Sequence, residues 1–149
     1  MSDNQTLDQR RAAHAWEAIR GLPKDSNGDY SKEAKDYARE ARKLPARILT
    51  AGLGPALAFL LAKAKREKKD KKQETPKEPI LERLHKNLTA WVIKERGIQA
   101  KVEGSLLESV IKGDSDFLMQ ATDEALAYLQ WLVRFAEAEG LTKDEGEVD

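Results

Sequence analysis

His14 and His85 are the only histidines of the chain, and neither has a second histidine three or four residues away, the spacing that puts two imidazoles on one helical face. With no cysteine, a zinc or iron site would need these two side chains plus carboxylates, and no spacing assembles such a set. Each histidine reads as a surface or half-buried residue. Disulfides and thiolate chemistry are excluded, which in a helical, charged chain favours the cytoplasm. Gly52 to Gly54 is followed by no lysine with Ser or Thr and preceded by no strand, so it is not a phosphate-cradling loop. No Gly-x-Ser-x-Gly elbow is present. Glu33, Asp36 and Glu40 alternate with Lys32, Lys35 and Arg39 at helical spacing, the pattern of a salt-bridged solvent face. A carboxylate pair in a cleft could still act as acid and base, but nothing selects one. Binding is therefore the expected work, with no catalytic residue, no metal ligand and no cofactor.

Basic residues are more informative. Arg39, Arg42 and Lys43, followed by Arg47, cluster around Leu44–Pro45. Arg39, Lys43 and Arg47 are four apart, one above another if the helix runs on through the proline. Such a stripe can follow a phosphate backbone without reading bases. It could equally pair with neighbouring carboxylates, and spacing alone leaves both readings open. Trp16, Trp91 and Trp131 lie on or beside apolar stripes and read as packing residues rather than exposed stacking platforms.

The formal charge of zero conceals a gradient. Residues 1–100 carry 22 Lys+Arg against 14 Asp+Glu, a net of +8, and residues 101–149 carry 4 against 12, a net of −8. One part suits an anionic partner and the other a basic protein surface.

The elements that must position these residues are helices. Thr6 with Gln9 forms a capping box before Ala12, Ala15, Trp16, Ile19 and Leu22, and Gly21 with Pro23 stops the helix. Asn27–Gly28 is the expected turn, and Ser31 caps a second helix with the stripe Ala34, Tyr37, Ala38, Ala41 and Leu44. Pro45 marks a restart. Ile48 to Ala64, apolar on most of its circumference, is the expected central helix, kinked or broken at Pro55, with Gly52 and Gly54 allowing close packing. Its uncharged run of 15 residues, Ile48 to Ala62, is too short to cross a bilayer, which takes about 20. The N-terminal residues lack the apolar stretch of a signal peptide.

Residues 65–77 form a basic, flexible insert within the run KAKREKKDKKQETPK, and Thr75 with Glu78 is a second capping box with Pro76 at the first helical position. The following helix buries Ile80, Leu81, Leu84, Leu88, Trp91 and Val92 and ends at Gly97. Ser105 with Glu108 caps a short helix through Leu106, Leu107, Val110 and Ile111, and Gly113 stops it. Asp114 or Ser115 caps a last long one with the stripe Phe117, Leu118, Ala121, Leu126, Leu129, Leu132, Val133 and Ala136. The tail, 141–149, is acidic and frayed. No alternating segment predicts a strand. The expectation is one all-α domain over 1–149, a compact bundle of about six helices and not a long coiled coil.

Three stretches carry a resemblance to a known family. These are RRAAHAWEAI (10–19), LPARILTAGLGPALAFLLAK (44–63) and TDEALAYLQWLVRFAEAE (122–139), in this order and with a charged insert between helices. Together with the helix of Leu88 and Trp91, the chain resembles the small helical subunit of the type III-B CRISPR effector, the Cmr family, over residues 10–139. It departs from the family pattern at Ala51, where a polar residue is common, and at Gln120, where a basic one is. No nucleic-acid role is carried to those two positions.

The resemblance implies a non-catalytic, cytoplasmic subunit of an antiviral ribonucleoprotein. It implies stacking head to tail in the minor filament beside the backbone and large subunits, and phosphate contacts that hold target RNA paired to guide RNA. On this reading the RNA-contacting candidates are Arg39, Arg42, Lys43 and Arg47, then Lys86 and Lys94, which are eight apart, with Arg83 nearby. The rivals are the equivalent subunit of the type III-A (Csm) complex, a helical adaptor that binds only protein, and an enzyme with a carboxylate site.

Overall fold

The computed structural model describes residues 4–70, 78–100 and 102–142, with side chains for all of these but 68–70. Six α-helices run in order among the described residues: α1 Leu7–Arg20, α2 Lys32–Ala51, α3 Leu53–Asp70, α4 Ile80–Thr89, α5 Leu106–Lys112 and α6 Ser115–Ala138. A π-helical segment, Ala90–Glu95, continues α4. The described residues contain no strand, only an isolated bridge between Lys24 and Tyr30.

Local chemistry sets most helix starts. Thr6 Oγ1 accepts the Gln9 N–H at 3.0 Å while Gln9 Oε1 accepts the Thr6 N–H at 2.8 Å, closing the expected box. Ser105 and Glu108 repeat it at α5, Ser31 caps α2, and Asp114 accepts the Phe117 N–H at 2.9 Å to start α6. Each such cap contributes about 1 kcal/mol. The start of α4 differs from expectation. Thr75 and Pro76 lie outside the described residues, the helix begins only at Ile80, and its N-cap is Pro79, which makes no side-chain cap bond.

The middle of the chain departs further. α2 passes through Pro45 and ends at Gly52, whose φ of 97° is open to glycine but strained for other residues. Pro55 lies in the first turn of α3, where a missing N–H is tolerated, so it causes no kink. The joint is therefore at Gly52, seven residues beyond Pro45. At Gly54 a Cβ would sit 3.4 Å from Val110 Cγ1, so the glycine allows α3 and α5 to approach closely.

α6, not the α3 region, occupies the centre. It packs on α1, α2, α5 and the π segment, and buries Phe117, Ala121, Ala125, Tyr128, Leu129, Leu132 and Ala136 along one face. α3 is amphipathic, burying Leu53, Ala56, Leu57, Leu60 and Ala64 while Ala58, Phe59 and Ala62 face out. Of the basic insert, 65–70 continue α3, and 71–77 lie outside the described residues, as does the tail from 143. Leu141, at the head of that tail, is buried against the core.

Candidate nucleic-acid interface

Because α2 does not break at Pro45, Arg39, Lys43 and Arg47 stand on one continuous helix. Their surroundings differ. Arg39 Nη1 pairs with Asp36 Oδ1 at 2.9 Å and stays 46% exposed. Lys43 is exposed and has no ion pair among the described residues. Arg47 Nη1 donates to Glu40 Oε2 at 2.8 Å.

Glu40 is the pivot of this region. It is 5% exposed, and its second oxygen takes the Lys63 ammonium from α3. Burial works against the charged carboxylate, but Lys63 and Arg47 outweigh it and hold the pKa below the ordinary value of 4.5. Two cations against one anion leave the cluster net positive. Over it lies Phe59, 45% exposed, with Arg47 Cζ 4.6 Å and Lys63 Nζ 5.8 Å from its ring centroid.

Arg42 faces another way. It is exposed, has no ion pair among the described residues, and lines a groove of about 440 Å³ between α2 and α6 with Pro45, Leu49, Leu126, Val133 and Arg134. The expected cluster is thus divided between two flanks of α2, Arg47 toward α3 and Arg42 toward α6.

The α4 candidates also divide. Arg83 Nη2 donates to the Gly21 carbonyl at 2.7 Å, tying α4 to the end of α1. Lys86 pairs with Glu78 at 2.7 Å on the surface, which raises its pKa. Lys94 is exposed and lies on the π segment. Despite the change of helical pitch between them, Lys86 and Lys94 line one cleft of about 1190 Å³, whose wall includes His85, Thr89 and Ser105.

Neither histidine is arranged as a metal ligand. His85 Nε2 accepts the Leu107 N–H at 3.3 Å, and His14 Nδ1 lies 2.7 Å from the Tyr128 hydroxyl. Burial lowers the pKa of both. No group of three or more potential metal-binding side chains occurs among the described residues.

A second buried carboxylate, Glu124, joins three elements. Arg11 of α1 engages both its oxygens, one of them at 3.1 Å, Arg96 Nε reaches it at 2.9 Å, and the Trp91 indole N–H donates to it at 3.0 Å. Burial opposes its ionisation, yet Arg11, Trp91 and Arg96 together lower its pKa. Trp91 is buried and stacks on Tyr128, while Trp16 packs on Phe135, as expected of packing residues. Glu40 and Glu124 belong to separate networks, and a carboxylate held ionised is a poor proton donor near neutral pH.

Sequence reasoning missed Lys63, Phe59 and the pivotal role of Glu40, because the contact between Glu40 and Lys63 spans 23 residues. Glu124 left a local signal, a lone charge on the buried stripe Ala121, Ala125, Tyr128.

The family model described as CRISPR-associated protein (Cas_Cmr5) matches residues 7–139. A crystal structure of a CRISPR-associated Cmr5 family protein from Thermus thermophilus superposes with a TM-score of 0.61 at 26% identity, covering 90% of this chain and 96% of that one. No helix among the described residues is long and apolar enough to cross a membrane.

Proposed function

Because the chain belongs to the CRISPR-associated Cmr5 family, the small subunit of the type III-B Cmr effector complex, we propose that it works without catalysis, holding target RNA on the guide through contacts to phosphate. The observation that carries this reading is the surface of α2. Lys43 and Arg42 are exposed and unpaired among the described residues, and beside Lys43 the Glu40 cluster keeps a net positive charge. Charges displayed on a rigid helix track a phosphate backbone without sequence preference. Arg39 and Lys86 keep exposed side chains in surface pairs, which phosphate can displace because such pairs contribute little. Lys94 adds a cation at the cleft of α4 with no ion pair among the described residues. Arg83 is the weakest of the candidates, since its guanidinium is engaged by Gly21.

The other partners are proteins. Along α5 and the start of α6, Ile111, Leu118 and Met119 are exposed beside Asp116 and Asp123. This apolar, acidic end and the basic α2–α3 end suit head-to-tail stacking of copies and contact with the backbone and large Cmr subunits. On this reading residues 1–149 act as a single helical domain, in the cytoplasm.

The test is target-RNA affinity of the reconstituted effector complex carrying Arg42→Ala, Lys43→Ala or Lys94→Ala, measured over a range of salt. Each substitution should weaken binding alike on unrelated targets and flatten the salt dependence by about one unit. Complexes that assemble normally and bind RNA with unchanged affinity and salt dependence would favour the protein-only adaptor.

A further inference from the structure

Among the large hydrophobic side chains exposed in the described residues, Phe59 is the single aromatic; Leu49, Ile111, Leu118 and Met119 are aliphatic. An exposed ring is unfavourable in water, and this one is held by a built pedestal. Glu40, 5% exposed, fixes Arg47 and Lys63 from below, and both cations lie against the ring, at 4.6 and 5.8 Å from its centroid. The cations keep 27% and 29% side-chain exposure, so each is still partly at the surface. Phe59, Lys63 and Arg66 recur at i, i+4 and i+7, one face of α3. Arg66 is exposed and has no ion pair among the described residues, like Lys43 across on α2.

Resting on the RNA-facing reading above, we propose that Phe59 is a stacking platform for one unpaired or splayed base of the RNA. Arg47 and Lys63 lie over part of the ring and take the adjacent phosphates, while the base stacks on the ring surface left exposed. A ring offers its π surface to any base, so the contact carries no sequence preference, and cations beside it meet the backbone that arrives with the base. Charge distinguishes this occupant from a protein. Two cations lie over the ring, and exposed Lys65 and Arg66 follow Lys63 on α3, whereas the exposed aliphatic residues of α5 and α6 stand beside Asp116 and Asp123.

The experiment places Phe59→Ala, Phe59→Leu and Phe59→Trp in the full subunit within the reconstituted complex and measures target-RNA affinity at several salt concentrations. Alanine and leucine should each weaken binding about tenfold with the salt dependence unchanged, and tryptophan should restore it. Leucine binding as tightly as phenylalanine would overturn the proposal, since an ordinary apolar contact tolerates it. Loss of the subunit from the complex, with normal RNA affinity in complexes that retain it, would also overturn it and make the ring a protein contact. The same series with Lys43→Ala separates the two readings. If Lys43→Ala flattens the salt dependence and the Phe59 variants do nothing, only the stacking site fails. If neither moves binding, the RNA-facing reading fails with it.

Discussion

Glu124 and Glu40 are both carboxylates 5% exposed, and each gathers two basic side chains, yet they do different work. Glu124 draws Arg11 from α1 and Arg96 and a buried indole from the π segment and its end, and so ties two distant parts of the chain to α6. Glu40 draws Arg47 from its own helix and Lys63 from the next, and leaves both at the surface under an exposed ring. Ion pairing by the same chemistry closes the core in one region and displays charge in the other. What decides is the company of the cations: around Glu124 a buried indole and Arg11, 16% exposed, although Arg96 keeps 38%; around Glu40 an exposed ring over Arg47 and Lys63.

The comparison breaks or holds first on stability. Glu124→Ala strands Arg11 and a buried indole N–H, and should reduce the unfolding free energy by about 3–5 kcal/mol in a denaturant titration. Glu40→Ala frees two side chains that can turn to water, and should reduce it by only about 1–2 kcal/mol. The same Glu40→Ala complex should bind RNA with a steeper salt dependence, because a neutralising carboxylate is gone. Equal destabilisation by the two substitutions, or an unchanged salt dependence of RNA binding by Glu40→Ala, would erase the distinction.

Acid sharpens it next. Both carboxyls titrate below their ordinary value of 4.5 in the fold. The unfolded chain therefore takes up protons first as pH falls, and the stability from these groups is fully present above 4.5 and is lost as pH drops through the folded values. His14 and His85, lowered from 6.5 by burial, add a milder loss of the same sign that begins near 6.5 on acidification. Unfolding monitored from pH 7 to 3 should show the wild type losing stability over both windows. Glu124→Gln, already destabilised, should lose less below 4.5, and His85→Gln should flatten the upper window.

How far each region can be read from sequence follows from contact range. The boxes at Thr6–Gln9 and Ser105–Glu108 are visible because partners three residues apart decide them. Local signals put the joint between α2 and α3 too early, because Pro45 is the strongest of them. Leu44 and Ile48, buried at 0% and 2%, flank it and keep the helix running despite the roughly 3 kcal/mol a mid-helix proline costs. The π segment is invisible because it changes helical pitch without changing the apolar pattern. Of the candidate cations, residue type and helical spacing locate the α2 stripe. Whether a cation is free depends on partners as distant as Lys63 from Glu40, or Gly21 from Arg83, which no spacing rule encodes.

The smallest expected effect bears most directly on display. Arg39, 46% exposed, is the only candidate on α2 whose partner, Asp36, 20% exposed, lies one turn away. Such a pair contributes about 0.5 kcal/mol or less, so Arg39→Ala should leave thermal unfolding almost unmoved. Its loss from a phosphate track should nevertheless lower the salt dependence of RNA binding by about one unit. Asp36→Ala makes the opposite change at the same spot: it releases Arg39 without removing it and should strengthen binding at low salt. If both variants bind RNA like the wild type while Lys43→Ala does not, the track begins at Lys43, and the N-terminal part of α2 carries charge for solvation alone.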